Sequence, residues 1–155
     1  MEGVMSEKEL TFVRPLDFSQ WHRSKLPRFC ACIDIDFHEY CDKCKQPLAL
    51  IEVARNIGQP KPTTITRNLA RKAGIPAYLI LYEIGPSTKP PVVPRTQVCW
   101  QCSFFPKGRE LVSFKVRRIA PDYSELKDVT EEDLIHFFEK MHNPCPICGW
   151  RPDNA

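Results

Sequence analysis

No stretch of this 155-residue chain approaches the roughly 20 uninterrupted apolar residues that a membrane-spanning helix requires, so a protein anchored in that way is excluded. A secretory leader is not read either. Residues 1–20 carry Glu2, Glu7 and Glu9 among scattered apolar positions, with no basic start followed by an apolar block. The expected location is therefore intracellular, in the cytoplasm of a bacterium or of a virus-infected cell. Charge of one sign is not in excess: 22 basic and 19 acidic residues leave a formal net charge of +3. That is too mild to announce a nucleic-acid binder, but permits one if the basic side chains gather on one side. Low-complexity tracts are missing, and the chain is too short for two large domains. With 43% apolar and 26% charged residues it has a globular balance, and a single domain over 1–155 is expected.

Cysteine is what the chain has in quantity. Its eight residues fall as Cys30-x-Cys32, Cys41-x-x-Cys44, Cys99-x-x-Cys102 and Cys145-x-x-Cys148. A CxxC turn presents two thiolates to one tetrahedral ion, and two such turns complete a closed structural zinc site. A reducing compartment argues against reading them as disulfides. In Cys145-Pro-Ile-Cys148-Gly149, Pro146 presets the turn after the first ligand and the glycine lets the backbone fold back beneath the metal.

Strict alternation over residues 28–40 predicts a strand with Phe29, Ala31, Ile33, Ile35 and Phe37 on one face and Asp34, Asp36 and His38 on the other. The apolar run 47–54 predicts a second strand, covered on both sides and paired with the first as a hairpin. Thr63 or Thr64 then caps a helix with Ile65, Leu69 and Ala73 at helical spacing and Gly74 as its stop. Residues 76–84 return as a buried strand, so strand, helix, strand predicts a crossover between parallel strands. The class is α/β, or an α+β mixed sheet. A proline-rich connector, 85–94, introduces Cys99. Residues 111–119 predict the last strand, at an edge. Thr130 caps a closing helix with Glu131, Glu132 and Asp133 in its first turn and Leu134, Phe137, Phe138 and Met141 as its stripe.

This topology suggests where the zinc lies. If the turn 41–46 marks one end of the sheet, the insertion 85–110 and the end of the closing helix both arrive at the other. Cys99, Cys102, Cys145 and Cys148 are then the expected ligands. Cys41 and Cys44 would lie roughly seven strand residues, or about 23 Å, away. They would hold a second zinc only with extra ligands such as His38 or a partner chain.

Glu52 interrupts an apolar run, and a buried unpaired carboxylate is costly. A hairpin register that sets Cys41 opposite Pro47 also sets Asp36 opposite Glu52. Two converging carboxylates suit Mg2+ or Mn2+, and such an ion activates water for attack on a phosphodiester. At these residues the chain resembles the PD-(D/E)XK nuclease superfamily, the restriction-endonuclease and Holliday-junction-resolvase fold. The likeness runs from about Phe18 to Met141. It rests on Trp21-His22-Arg23, on Asp34-Ile-Asp36-Phe-His-Glu-Tyr40, on Pro47-Leu-Ala-Leu-Ile-Glu52-Val-Ala54, and on Leu69 to Gly74 followed by Ile75-Pro76-Ala77.

The resemblance implies a nuclease-like core over 18–84 and 111–142, with 85–110 and 143–150 supplying the zinc site. It also implies that Asp36 and Glu52 bind the catalytic metal. The lysine of the E-x-K signature falls at Ala54. A basic group would have to come from Lys61 in the following loop or from Arg67 or Arg71 in the helix, while the adjacent Arg55 points to the other face of a regular strand. Arg67, Arg71 and Lys72 form one basic group and Lys107, Arg109, Lys115, Arg117 and Arg118 a second, either of which would track a nucleic-acid backbone, most simply DNA. Three functions fit: a metal-dependent DNA nuclease with a structural zinc; an inactive nuclease fold that retains nucleic-acid or protein binding; and a zinc-bearing adapter or inhibitor docking on a partner protein.

Overall fold

In the computed structural model, residues 21–22, 24–31, 35–86 and 109–152 are described. Contacts divide the chain into two units, one of Met1–Cys32 with Pro86–Arg109 and the other of Ile33–Gly85 with Glu110–Ala155. In the first, Trp21 and His22 lie in a helical turn, where Ser24 Oγ donates to the Trp21 carbonyl and the Leu26 N–H to the His22 carbonyl.

The second unit is built on a mixed five-stranded sheet in the order β1-β2-β3-β4-β5. Its strands are β1 Phe37–Tyr40, β2 Pro47–Arg55, β3 Ala77–Pro86, β4 Arg109–Ala120 and β5 Lys127–Val129, with helices α1 Thr64–Ala73 and α2 Glu131–His142. β1 and β2 form the expected antiparallel hairpin. β2 and β3 run parallel, joined through α1. Gly85 lies against Val112, and Ala77 clusters with Ile119 and Ala120, so β4 returns antiparallel to β3. β5 pairs antiparallel with β4, Phe114 opposite Val129.

β2 reads as a continuous apolar run because both its faces are covered. Leu50 packs with Leu79, Ala70 and Ile119 on the α1 side, while Ala49 and Ile51 pack with Ile80, Phe114 and α2 residues on the other. Gly74 ends α1 at φ 69°, in the left-handed region that glycine enters without a Cβ penalty, and its N–H meets the Ala70 and Arg71 carbonyls. Thr130 opens α2 with a full capping box: the Asp133 N–H donates to Thr130 Oγ1 and the Thr130 N–H to Asp133 Oδ2. No helix among the described residues is long and apolar enough to cross a membrane.

Three expectations are corrected. The predicted strand 28–40 shrinks to Phe37–Tyr40 in the described residues. Residues 27–30 turn instead, closed by the Cys30 N–H on the Pro27 carbonyl, and Phe29 is 86% exposed, so the alternation there does not mark a buried face. In α1 the predicted stripe Ile65, Leu69 and Ala73 faces outward, while Thr66 and Ala70 are buried. The sheet beneath carries a carboxylate that needs a donor, and Ala70 lets the helix approach closely. Finally, β4 is not an edge strand. The three-residue β5 covers part of it and is too short for any periodicity to announce.

Candidate functional site

On the α1 side of the sheet, two buried polar residues face each other. Glu52 and Thr66 both have 0% exposure and are the buried polar residues among those described. The Thr66 hydroxyl donates to Glu52 Oε1. Among the described residues Glu52 Oε2 has no hydrogen-bond partner, but Lys61 Nζ stands 3.4 Å from it. The same ammonium lies 2.8 Å from Asp36 Oδ2, which also accepts from the Val53 N–H at 2.9 Å. Phe37 opposite Ile51 in the ladder extends to Asp36 opposite Glu52, the register expected. It slips only at Tyr40, which meets Pro47 in place of Cys41. The structure thus brings together three of the expected catalytic candidates, Asp36, Glu52 and Lys61. Arg55 is exposed at the end of β2, on the opposite face from Glu52 by strand alternation. Thr66 is not announced by the sequence, because a threonine inside a helical pattern reads as a surface residue until its helix is docked on a carboxylate.

The charges in this group shift one another. Burial pushes the Glu52 carboxyl up; the Thr66 hydroxyl works against that, and the Asp36 carboxylate beside it adds to it. Burial also opposes ionisation of Asp36, but the Lys61 ammonium and the Val53 N–H outweigh it and hold Asp36 below the usual carboxylate range. Burial works against the Lys61 charge, yet the two carboxylates hold it above the ordinary lysine range. The centre gathers carboxylate and hydroxyl oxygens around one ammonium, closed on one side by Thr66 and open where Asp36 keeps 28% exposure.

The basic residues expected to bind nucleic acid have different fates. Arg67 stacks 4.5 Å over the Tyr123 ring, and Arg71 donates to the Pro121 carbonyl and pairs with Asp122 at 3.4 Å. Both tie α1 to the segment after β4. Lys72 is exposed in the last turn of α1. Lys115 and Arg117 share the α1 face of the sheet with Glu52, as strand alternation from Ile119 requires, and Lys115 lies 3.6 Å from Asp128. Arg118 falls on the other face.

The second constellation sits at the far end of the hairpin. Cys41, Cys44, Cys145 and Cys148 bring their sulfurs within 4.8 Å of one another, with 3.8 Å between Cys41 and Cys148 and 3.9 Å between Cys44 and Cys145. A tetrahedron of Zn–S bonds near 2.3 Å has edges of about 3.8 Å. Four cysteines in this arrangement can hold a metal ion such as zinc.

The two turns are built alike. The Lys45 N–H reaches the Cys41 carbonyl at 2.8 Å and the Gly149 N–H the Cys145 carbonyl at 2.9 Å. The Cys41 N–H bonds the Gln46 carbonyl and the Cys145 N–H the Trp150 carbonyl. Lys45 and Gly149, each just after the second cysteine, both take positive φ, 61° and 75°. Backbone N–H groups point at sulfur from Cys44 to Cys41 and from Ile147 and Cys148 to Cys145. Those from Cys148 and Ile147 bring the Cys145 thiol down to about 6. The Gln46 backbone favours the Cys44 thiolate, but desolvation and the neighbouring sulfurs push Cys44 up to about 11. Leu48, Met141 and Trp150 pack around the cluster, and His142 Nε2 meets Glu39 Oε2 at 2.9 Å, tying α2 to β1.

This overturns the expected ligand pairing, in which Cys41 and Cys44 lie far from Cys145 and Cys148 and the site is completed by Cys99 and Cys102. The reversal comes from β5. β4 runs toward the 41–46 end, β5 turns back, and α2 therefore runs toward that end again and delivers Cys145 and Cys148 there. Without β5 the helix would run the other way and carry its two cysteines to the opposite end of the sheet. Cys99 and Cys102 lie outside the described residues, as do Cys32 and Lys107. Comparison with known proteins finds no matching family, no matching curated protein and no matching solved structure.

Proposed function

We propose that the chain is a metal-dependent nuclease of the PD-(D/E)XK kind, acting on DNA, with zinc in the four-cysteine cluster as a structural ion. The observation that carries this reading is the meeting of Asp36 and the wholly buried Glu52 beneath one shared lysine. Asp36 and Glu52 would hold Mg2+ or Mn2+, which when bound supplies charge stabilisation at the phosphoryl oxygens and an activated water. The protein's own contributions follow from its geometry. Thr66 fixes the Glu52 carboxylate by hydrogen bonding one oxygen and leaving the other beside Lys61. Lys61 takes the place of the E-x-K lysine lost at Ala54, and its ammonium is near enough to both carboxylates to turn toward a phosphate bound between them. Lys115 and Arg117, on the same sheet face, would accept the flanking phosphates, so binding should weaken steeply with salt.

The test is cleavage of single-stranded, duplex and branched DNA, and of RNA, under Mg2+ and under Mn2+. Asp36→Asn and Glu52→Gln should each lower hydrolysis by about 100-fold or more, the scale of losing one group that stabilises the reacting charge. Substrates left intact under both metals, or a rate unchanged in Asp36→Asn, would overturn the reading. A second reading has an observation of its own: Lys61 already lies against both carboxylates without an added cation. In that case the chain is a binding module on a nuclease fold, and it binds DNA equally well with and without divalent ions while cleaving none.

A further inference from the structure

We propose that the four-cysteine cluster, when it holds zinc, is a clamp for the strand that carries the site: it keeps β1, and with it Asp36, in place. Asp36 and Glu52 are supported very differently. Glu52 lies inside β2, flanked by β1 and β3, fully buried and bonded to Thr66. Asp36 lies just before a four-residue edge strand in which no side chain is buried: Phe37 is 55% exposed, Tyr40 is 48% exposed, and His38 is exposed as well. Among the described residues that strand has a single ladder, to β2, and the ladder slips between Glu39 and Tyr40. An isolated pairing of this length is marginal in water. The residue after the strand is, by contrast, firmly held. Cys41 comes directly after Tyr40, is 3% exposed, and its sulfur meets those of the knuckle after α2. Glu39 adds the bond to His142 at the end of the same helix.

The chain therefore anchors β1 from its Cys41 end, through a cross-link between two segments about 100 residues apart in sequence, a separation that makes the constraint on an otherwise loose strand large. If zinc leaves, β2, β3 and the Glu52–Thr66 pair keep their packing, while β1 is held by the ladder, the Glu39 bond and the contacts of Asp36 itself. A second consequence rests on the reading of Asp36 and Glu52 as a cation site: filling the thiolate site should tighten cation binding there, and by linkage the reverse.

The experiment uses the full chain in three forms: zinc-loaded, stripped with a zinc chelator that is then removed by gel filtration, and Cys145→Ser, which leaves the sequence of β1 and its turn untouched. Hydrogen exchange is followed by mass spectrometry and Mn2+ binding by electron paramagnetic resonance. In both zinc-free forms the amides of Phe37–Tyr40 should exchange at least tenfold faster while those of β2 and β3 keep their protection, and Mn2+ affinity should fall at least tenfold. Unchanged exchange in β1 overturns the clamp whatever Mn2+ does. Loss of protection throughout the sheet also overturns it, because the metal would then support the whole unit and not this strand. Failure of the zinc-loaded chain to bind Mn2+, with β1 still loosening on zinc removal, overturns the cation-site reading and leaves the clamp standing.

Discussion

Replacing Lys61 by methionine removes the charge that holds two carboxylates together while keeping most of the side chain's bulk. Removing one partner of a fully buried ion pair costs about 3–5 kcal/mol, since the other charge is left without compensation. Here Glu52 is fully buried but Lys61 and Asp36 keep 26% and 28% exposure, so water reaches part of the group. A loss of about 1–3 kcal/mol at pH 7 is therefore expected once the full penalty is discounted for that access. At about 2 kcal/mol this lowers the midpoint of thermal unfolding by roughly 4–8 °C in a chain of this size.

The pH dependence distinguishes this from a packing defect. In the native chain Asp36 sits below its ordinary value, a contribution present above the unfolded carboxylate range and lost as pH falls through the folded value. Glu52 sits above its ordinary value, so the folded state prefers it protonated and its charged form weighs against folding as pH rises through that value. Without Lys61 both carboxyls resist ionisation in the fold. The variant's deficit should thus be small near pH 4 and grow toward pH 7. Urea and thermal unfolding, followed by far-ultraviolet circular dichroism on zinc-saturated protein at both pH values, measures it. Adding Glu52→Gln to Lys61→Met should recover much of the loss, since no buried charge then remains unpaired. A deficit below about 0.5 kcal/mol at pH 7, the scale of an ordinary surface change, would refute the reasoning. So would a deficit equal at the two pH values.

The same geometry carries two more expected outcomes. Cys41→Ser or Cys145→Ser should abolish zinc retention by the four-cysteine cluster, while Cys99→Ser should leave that ion in place, as native mass spectrometry of each variant would show; an ion lost from Cys99→Ser and kept by Cys41→Ser would restore the pairing expected from the sequence. Thr130→Ala deletes the oxygen that accepts from the Asp133 N–H and should cost about 1 kcal/mol, read as a shift in urea midpoint with unchanged slope.

The parts of this protein legible in its sequence are those where a local rule and the tertiary environment agree. Gly74 stops α1 because a left-handed residue is needed there, Thr130 and Asp133 cap α2 through their own side chains, and the expected Asp36–Glu52 register continues the Phe37–Ile51 pairing, the slip at Tyr40 being confined to the turn end. The failures occur where a packing decision made elsewhere reverses the local preference. Ile65 and Leu69 have the spacing of a buried stripe, yet the helix turns Thr66 and Ala70 inward, because leaving Glu52 without a donor in an apolar interior costs more than leaving two apolar side chains half in water. The cysteine pairing fails for a different reason. It depends on the direction of α2, and that direction depends on whether the number of strand reversals before it is even or odd. Lys127–Val129, three residues without alternation or β-branched runs, changes that parity. A feature too small to be read in the sequence thus decides which end of the sheet receives Cys145 and Cys148, and hence that the thiolates meet next to the strand that follows Asp36.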